Sequence, residues 1–121
     1  MACTAIIPFH NEKNRILNVL AVMTKIKSLS KIICVDDGSV DNTSGLIKKQ
    51  YPNILIIRLD RNRGKSLAVA KGLDKVKTKY VFLCDADLRN LKQSDAEKAI
   101  NAVIKNKQID MIILRRTQSI F

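Results

Sequence analysis

Two carboxylates, Asp85 and Asp87, stand either side of Ala86 directly after the apolar run Tyr80-Val81-Phe82-Leu83-Cys84. Carboxylates at this spacing can hold a hard divalent cation, Mg2+ or Mn2+, whose remaining ligands are phosphate oxygens and water. The plainer alternative is a loop whose acids cap the next helix. Ser94 with Glu97 three residues on forms a capping-box pattern for that helix, which leaves Asp85 and Asp87 free for metal. A second acidic pair, Asp36 and Asp37, precedes Gly38 and Ser39. Adjacent acids at a strand end repel unless they are partnered, so one is expected to accept loop amides while the other faces a ligand, against a turn-plus-cap alternative.

Gly64-Lys65-Ser66 looks like the end of a phosphate-binding loop, but that motif needs a glycine where Leu59 stands. What survives is a helix N-terminus carrying Lys65, a generic phosphate-friendly arrangement, with a solvated basic helix start as the alternative. His10 is the only histidine, and no G-x-S-x-G elbow is present. A hydrolase triad is therefore not expected, and His10 is placed as a pocket-lining or packing residue beside the first strand.

These groups need a scaffold that brings loops together. Short, dense apolar runs alternate with segments of helical period, the pattern of strand-helix units around a parallel sheet. Strands are expected at Thr4–Pro8, Lys31–Val35, Ile54–Leu59, Tyr80–Cys84 and Met111–Leu114. A helix through Ile16, Leu17, Leu20, Met23 and Ile26 follows the first strand. A second opens near Asp41-Asn42-Thr43, turns Leu46 and Ile47 inward and ends by Tyr51-Pro52. A third spans about Lys65 to Val76 with Leu67, Ala68, Ala70 and Leu73 on its packed side, slightly weakened by Gly72. The fourth is announced by Ser94 and continues through Ala99, Ile100, Val103 and Ile104. In such an open sheet, ligands collect beyond the carboxyl ends of the strands, and all four polar clusters fall at that edge.

With 121 residues the chain has room for one ordinary domain. Its net charge of +11 favours anionic partners such as nucleotide phosphates or acidic lipid head groups. Aromatics make up only 4% and none is Trp, so the stacking platforms of single-strand nucleic-acid binders are scarce. From Arg58 to Lys79 basic residues dominate. Most of them are expected to form a solvated face, with Lys65 as the functional one. No apolar run approaches the roughly 20 residues of a spanning helix, and the start lacks the pattern of a signal peptide, so a cytoplasmic location is expected. Cys3, Cys34 and Cys84 lack metal spacing and are expected as core filler. The ending on Ile120-Phe121 suggests a truncated chain, or else a short tail folded on the core.

Taken in order, Pro8-Phe9-His10-Asn11-Glu12, Val35-Asp36-Asp37-Gly38-Ser39 with Asp41-Asn42-Thr43, Asn62-Arg63-Gly64-Lys65 and Asp85-Ala86-Asp87-Leu88 resemble the family-two glycosyltransferases, from about Thr4 to Leu114. The Asp-Ala-Asp-Leu form is similar to that of enzymes that transfer a sugar from a nucleotide onto a polyprenyl phosphate. The resemblance implies an α/β GT-A fold, Rossmann-like and three-layered. Residues 1–121 would be the nucleotide-sugar (donor) binding domain of an incomplete glycosyltransferase. It implies that Pro8, His10 and Glu12 edge the nucleotide pocket, that Val35 and Asp37 meet the base, and that Lys65 assists. Asp85 and Ala86 would lie near ribose and phosphate, Asp85 and Asp87 would hold Mg2+ or Mn2+, and Arg116 would match a basic position past the fifth strand. The implied donor is a UDP- or GDP-sugar. The implied acceptor is polyprenyl phosphate or another glycan or lipid, with peripheral contact at the inner face of a membrane. The family usually has an aromatic where His10 stands and a Gln or small polar residue where Arg89 stands. A non-catalytic nucleotide-sugar-binding module is the competing expectation. A phosphohydrolase using Asp85 as nucleophile and Asp87 as acid is a third.

Overall fold

The structure is a computed structural model and describes residues 3–106 and 108. Its elements alternate as β1 (Cys3–Phe9), α1 (Ile16–Met23), β2 (Leu29–Asp36), α2 (Thr43–Gln50), β3 (Leu55–Arg58), α3 (Lys65–Leu73), β4 (Tyr80–Leu83) and α4 (Gln93–Lys105). The strands form one parallel sheet in the order β3-β2-β1-β4. The fifth expected strand, Met111–Leu114, and Arg116 lie outside the described residues. Among those described, no helix is long and apolar enough to cross a membrane.

β1 is buried along its whole length because it has a strand on each side and helices on both faces, the environment that selects continuous apolar runs in parallel sheets. Its side chains alternate between two cores. Ala5, Ile7 and Phe9 join Ile16, Val19, Leu20 and Met23 of α1, Ile47 of α2 and Ala96 and Ile100 of α4. Ile6 turns to the other face with Ile33 and Val35 of β2, where Ala68 of α3 closes over them. The result is the expected three-layer α/β arrangement.

Several boundaries differ from expectation for local reasons. β3 and β4 are shorter than read, and their outer residues are only partly covered because each is an edge strand of the described sheet. Ile26 lies beyond α1 yet stays buried. Ser94 does not cap α4: it sits inside the helix, whose N-cap position is Lys92, with no side-chain cap bond. Glu97 instead accepts from Gln93 Nε2 at 3.1 Å, and the same amide reaches Lys25 O at 3.1 Å. On α3 the packed side is Ala68 and Gly72, whereas Ala70 and Leu73 are exposed.

Gly72 therefore does more than weaken a helix. A Cβ there would lie 2.9 Å from Ile6 Cγ2 and 3.2 Å from Val35 Cγ2, so its absence lets α3 settle on the sheet. Gly72→Val should overpack this contact and cost about 1–3 kcal/mol, read as a lower urea midpoint; an unchanged midpoint would contradict the packing. The three free cysteines are buried, and burial, followed by the charge of Cys84, pushes the Cys34 thiol up to about 12. Since the thiolate is the reactive form, Cys3, Cys34 and Cys84 should resist a thiol reagent at pH 8 in the native chain and react once urea unfolds it.

Candidate nucleotide-binding cleft

The order β3-β2-β1-β4 means that the chain steps outward from β1 to β3 and then returns to the other side of β1. The loops leaving β1, β2, β3 and β4 meet at the carboxyl edge of this sheet, where such sheets bind ligands. A cleft of about 370 Å3 lies there, lined by Pro8, His10, Glu12, Asp37, Lys65, Asp85, Ala86 and Asp87 of the expected set, together with Phe9, Asn62, Gly64 and Ala68. Val35 is the exception among the described residues. Its side chain is fully buried beneath α3 and does not line the cleft, so only its main chain could meet a ligand.

Asp36 and Asp37 are both buried, and each is satisfied differently. Asp36 Oδ1 accepts from Ser39 N at 2.7 Å, and Oδ2 accepts from Ser44 Oγ and from Arg58 Nη1 at 3.1 Å. Arg58 Nη2 also donates to Ser39 O at 2.9 Å, so one guanidinium fastens both ends of the turn. Asp37 Oδ1 accepts from Arg63 N at 2.7 Å and Oδ2 from Gly64 N at 3.0 Å. Both acids thus bind loop amides, where the sequence suggested that one would do so and the other would face a ligand. Each Asp37 oxygen still has a second lone-pair direction for a ligand donor.

The loop after β1 is tied to the same turn. Asp37 N donates to Phe9 O at 2.8 Å, Asn11 N to Ser39 Oγ at 2.8 Å and Val40 N to Asn11 Oδ1 at 2.9 Å. The last bond orients the Asn11 amide so that Nδ2 faces His10 Nε2 at 3.2 Å. His10 Nδ1 lies 2.8 Å from Asp37 O, a carbonyl that can only accept. The ring is therefore the tautomer protonated on Nδ1, with Nε2 accepting. This makes His10 a brace between two loops.

The open side of the cleft is acidic. Glu12 pairs with Arg15, Nη2 to Oε1 at 2.8 Å and Nε to Oε2 at 2.6 Å. The second contact is off the N–H direction, which leaves Oε2 buried without an aligned donor. Lys65 Nζ lies 2.5 Å from Asp85 Oδ1. Asp87 is exposed and makes no hydrogen bond or ion pair among the described residues. No cluster of three or more His, Cys, Asp or Glu side chains suited to a metal occurs among them either. The loop therefore offers two carboxylates from one segment, a donor set that suits a hard cation completed by water and phosphate and not a closed all-protein site. Sequence patterns place Asn11 and Ser39 in the strand-end clusters without a role of their own, and mark neither Arg58 nor Ser44 as part of the site. Arg58 was counted with the solvated basic face because nothing in one dimension marks its buried partner.

A family model described as Glycosyl transferase family 2 matches residues 4–120. Dolichyl-phosphate beta-glucosyltransferase of Saccharomyces cerevisiae is 37% identical over 115 residues, covering 84% of this chain and 34% of that protein, so the chain spans about a third of that relative's length. A crystal structure of glucosyl-3-phosphoglycerate synthase from Mycobacterium tuberculosis, in complex with Mn2+, UDP and glucosyl-3-phosphoglycerate, superposes with a TM-score of 0.76 at 19% identity, covering 89% of this chain and 41% of that one. A mannosyltransferase from Pyrobaculum calidifontis in complex with GDP-Man and Mn2+ gives 0.71 at 21% identity, covering 82% and 31%. At these identities the two structures speak for the GT-A fold.

Gly38 is the residue on which the Asp36–Asp37 turn closes. Its φ is +77°, and a Cβ would stand 2.4 Å from the Arg61 carbonyl carbon. Gly38→Ala combines left-handed backbone strain with a backbone collision, and should cost about 2 kcal/mol or more in denaturant unfolding. Wild-type stability in that variant would show that the turn is not held as described.

Proposed function

The chain belongs to glycosyl transferase family 2, and on that premise we propose that residues 1–121 form a nucleotide-sugar (donor) binding domain of an enzyme that transfers sugar from a UDP- or GDP-sugar with Mg2+ or Mn2+. The observation that carries this reading is the meeting of Lys65, Asp85 and Asp87 in one cleft with the loops of β1 and β2. Mn2+ in complexes of two structurally similar enzymes supports the metal. Asp85 and Asp87 would hold it. Bound there, a divalent cation would stabilise the charge that gathers on the leaving nucleoside diphosphate.

The chain's own groups divide the rest of the work. Asp37, already holding two amides, offers its remaining lone pairs to a ring N–H of the base, and the main chain at Val35 lies beside it. Pro8 and His10 form the wall next to that position. Glu12, held by Arg15, edges the pocket beside them. Lys65 stands over the diphosphate, with Ala86 near ribose and phosphate, and Arg116 would add a second positive charge. The acceptor we favour is polyprenyl phosphate, supported by the name of the yeast relative; another glycan or lipid is the alternative. A phosphate acceptor is already anionic and can attack without a general base. The +11 charge suits peripheral contact with an anionic membrane, and a cytoplasmic site at its inner face agrees with this. Nucleic acid is the poorer fit for the reason of aromatic scarcity.

A second reading, a module that binds donor without transferring sugar, is separated from the first by experiment. Release of free sugar from the donor by the chain would speak for catalysis and against that reading. The main test is calorimetric titration with UDP, GDP, dTDP and CDP, each with and without Mn2+. One nucleotide should bind in a Mn2+-dependent way, and Asp87→Ala should abolish that dependence. Unchanged Mn2+-dependent affinity in Asp87→Ala would remove this loop from the site.

A further inference from the structure

Lys65 opens α3 and reaches across the cleft to the loop after β4, with 66% of its side chain and 51% of that of Asp85 still exposed. The backbone beneath it is held: the two preceding amides, of Arg63 and Gly64, are both bonded to the Asp37 carboxylate. What can move is the side chain alone, four methylenes ending in a compact ammonium with three donors. Asp87, in the same cleft, has no such partner among the described residues. Among the described residues the two carboxylates suited to a cation are thus neutralised unequally, with the Lys65 ammonium on Asp85.

Resting on the metal-dependent donor reading above, we propose that Lys65 couples cation binding to nucleotide binding: it occupies Asp85 in the empty cleft, and transfers to the diphosphate when donor and cation enter together. An ammonium and a divalent cation repel at ligand distances, so Lys65 must leave Asp85 before that carboxylate can serve as a metal ligand. With no nucleotide present, the displaced ammonium loses Asp85 without gaining a phosphate, and Asp87 in the same cleft is also needed by the cation. With a diphosphate in the cleft, the ammonium gains a doubly charged partner and the exchange becomes favourable. The solvent exposure of the pair keeps it weak enough to break. Linkage then requires that nucleotide and cation raise each other's affinity by one common factor, and part of that factor originates in Lys65.

The test measures free Mn2+ by electron paramagnetic resonance during titration of the chain, alone and with UDP or GDP, for wild type, Lys65→Met and Lys65→Arg. Lys65→Met should bind Mn2+ alone about two- to fivefold more tightly than wild type, the range expected when an exposed competing ion pair is removed. Nucleotide should then improve its Mn2+ affinity by a smaller factor than in wild type. Lys65→Arg, which keeps the charge, should retain the weak Mn2+ binding of wild type. A Lys65 that merely supported the fold could not tighten Mn2+ when removed. Mn2+ affinity unchanged or weaker in Lys65→Met, with Mn2+-dependent nucleotide binding intact in wild type, overturns the coupling and leaves the donor site standing. Absence of Mn2+-dependent nucleotide binding in wild type overturns both.

Discussion

Two adjacent carboxylates, Asp36 and Asp37, are buried at the end of β2, and the cleft side of the molecule is organised by the need to satisfy them. Burying a charge is expensive unless it is paired and hydrogen-bonded. Asp36 is answered by Arg58 and two serines from its own and the next segment. Asp37 is answered by amides of the loop that precedes α3. Through its main chain Asp37 also holds Phe9 and His10 at the end of β1. One turn therefore sets the relative positions of three loops, and Gly38 is the residue that allows the turn to be made.

The local electrostatics run against the global charge. The chain is strongly basic, yet its cleft presents Glu12, Asp37, Asp85 and Asp87 against Lys65. Long-range attraction by the whole surface brings anionic ligands near, whereas the acidic floor calls for a cation. A nucleoside diphosphate carried with a divalent ion meets both demands. Among the described residues Lys65 is the one Lys or Arg that lines the cleft, and its ammonium can serve one anionic partner at a time.

The alternation of dense apolar runs and helical segments made the four described strands and helices legible, along with the edge of the sheet on which the polar clusters fall. Polarity at several successive strand ends is a strong signal because it survives errors of one or two residues in each boundary. The capping role given to Ser94 did not hold, since a side chain within reach of a cap pattern competes with tertiary partners, here Lys25 O for Gln93. Arg58 was illegible for a related reason. A basic residue in a basic stretch has no local mark that distinguishes a solvated side chain from one that neutralises a buried acid 22 positions away.

By itself the sequence determined the fold class, the loops that carry the chemistry and the residue types in them, because strand and helix periods and turn formers act over a few residues. Only the tertiary structure decided that Asp37 holds the loop of Lys65, that Val35 turns beneath α3, that His10 accepts on Nε2, and that Lys65 rests on Asp85. Each of these depends on contacts between segments far apart in the chain, His10 included, since Asp37 O fixes its ring. Such pairings depend on strand order and on which face each helix covers, and no local pattern encodes either.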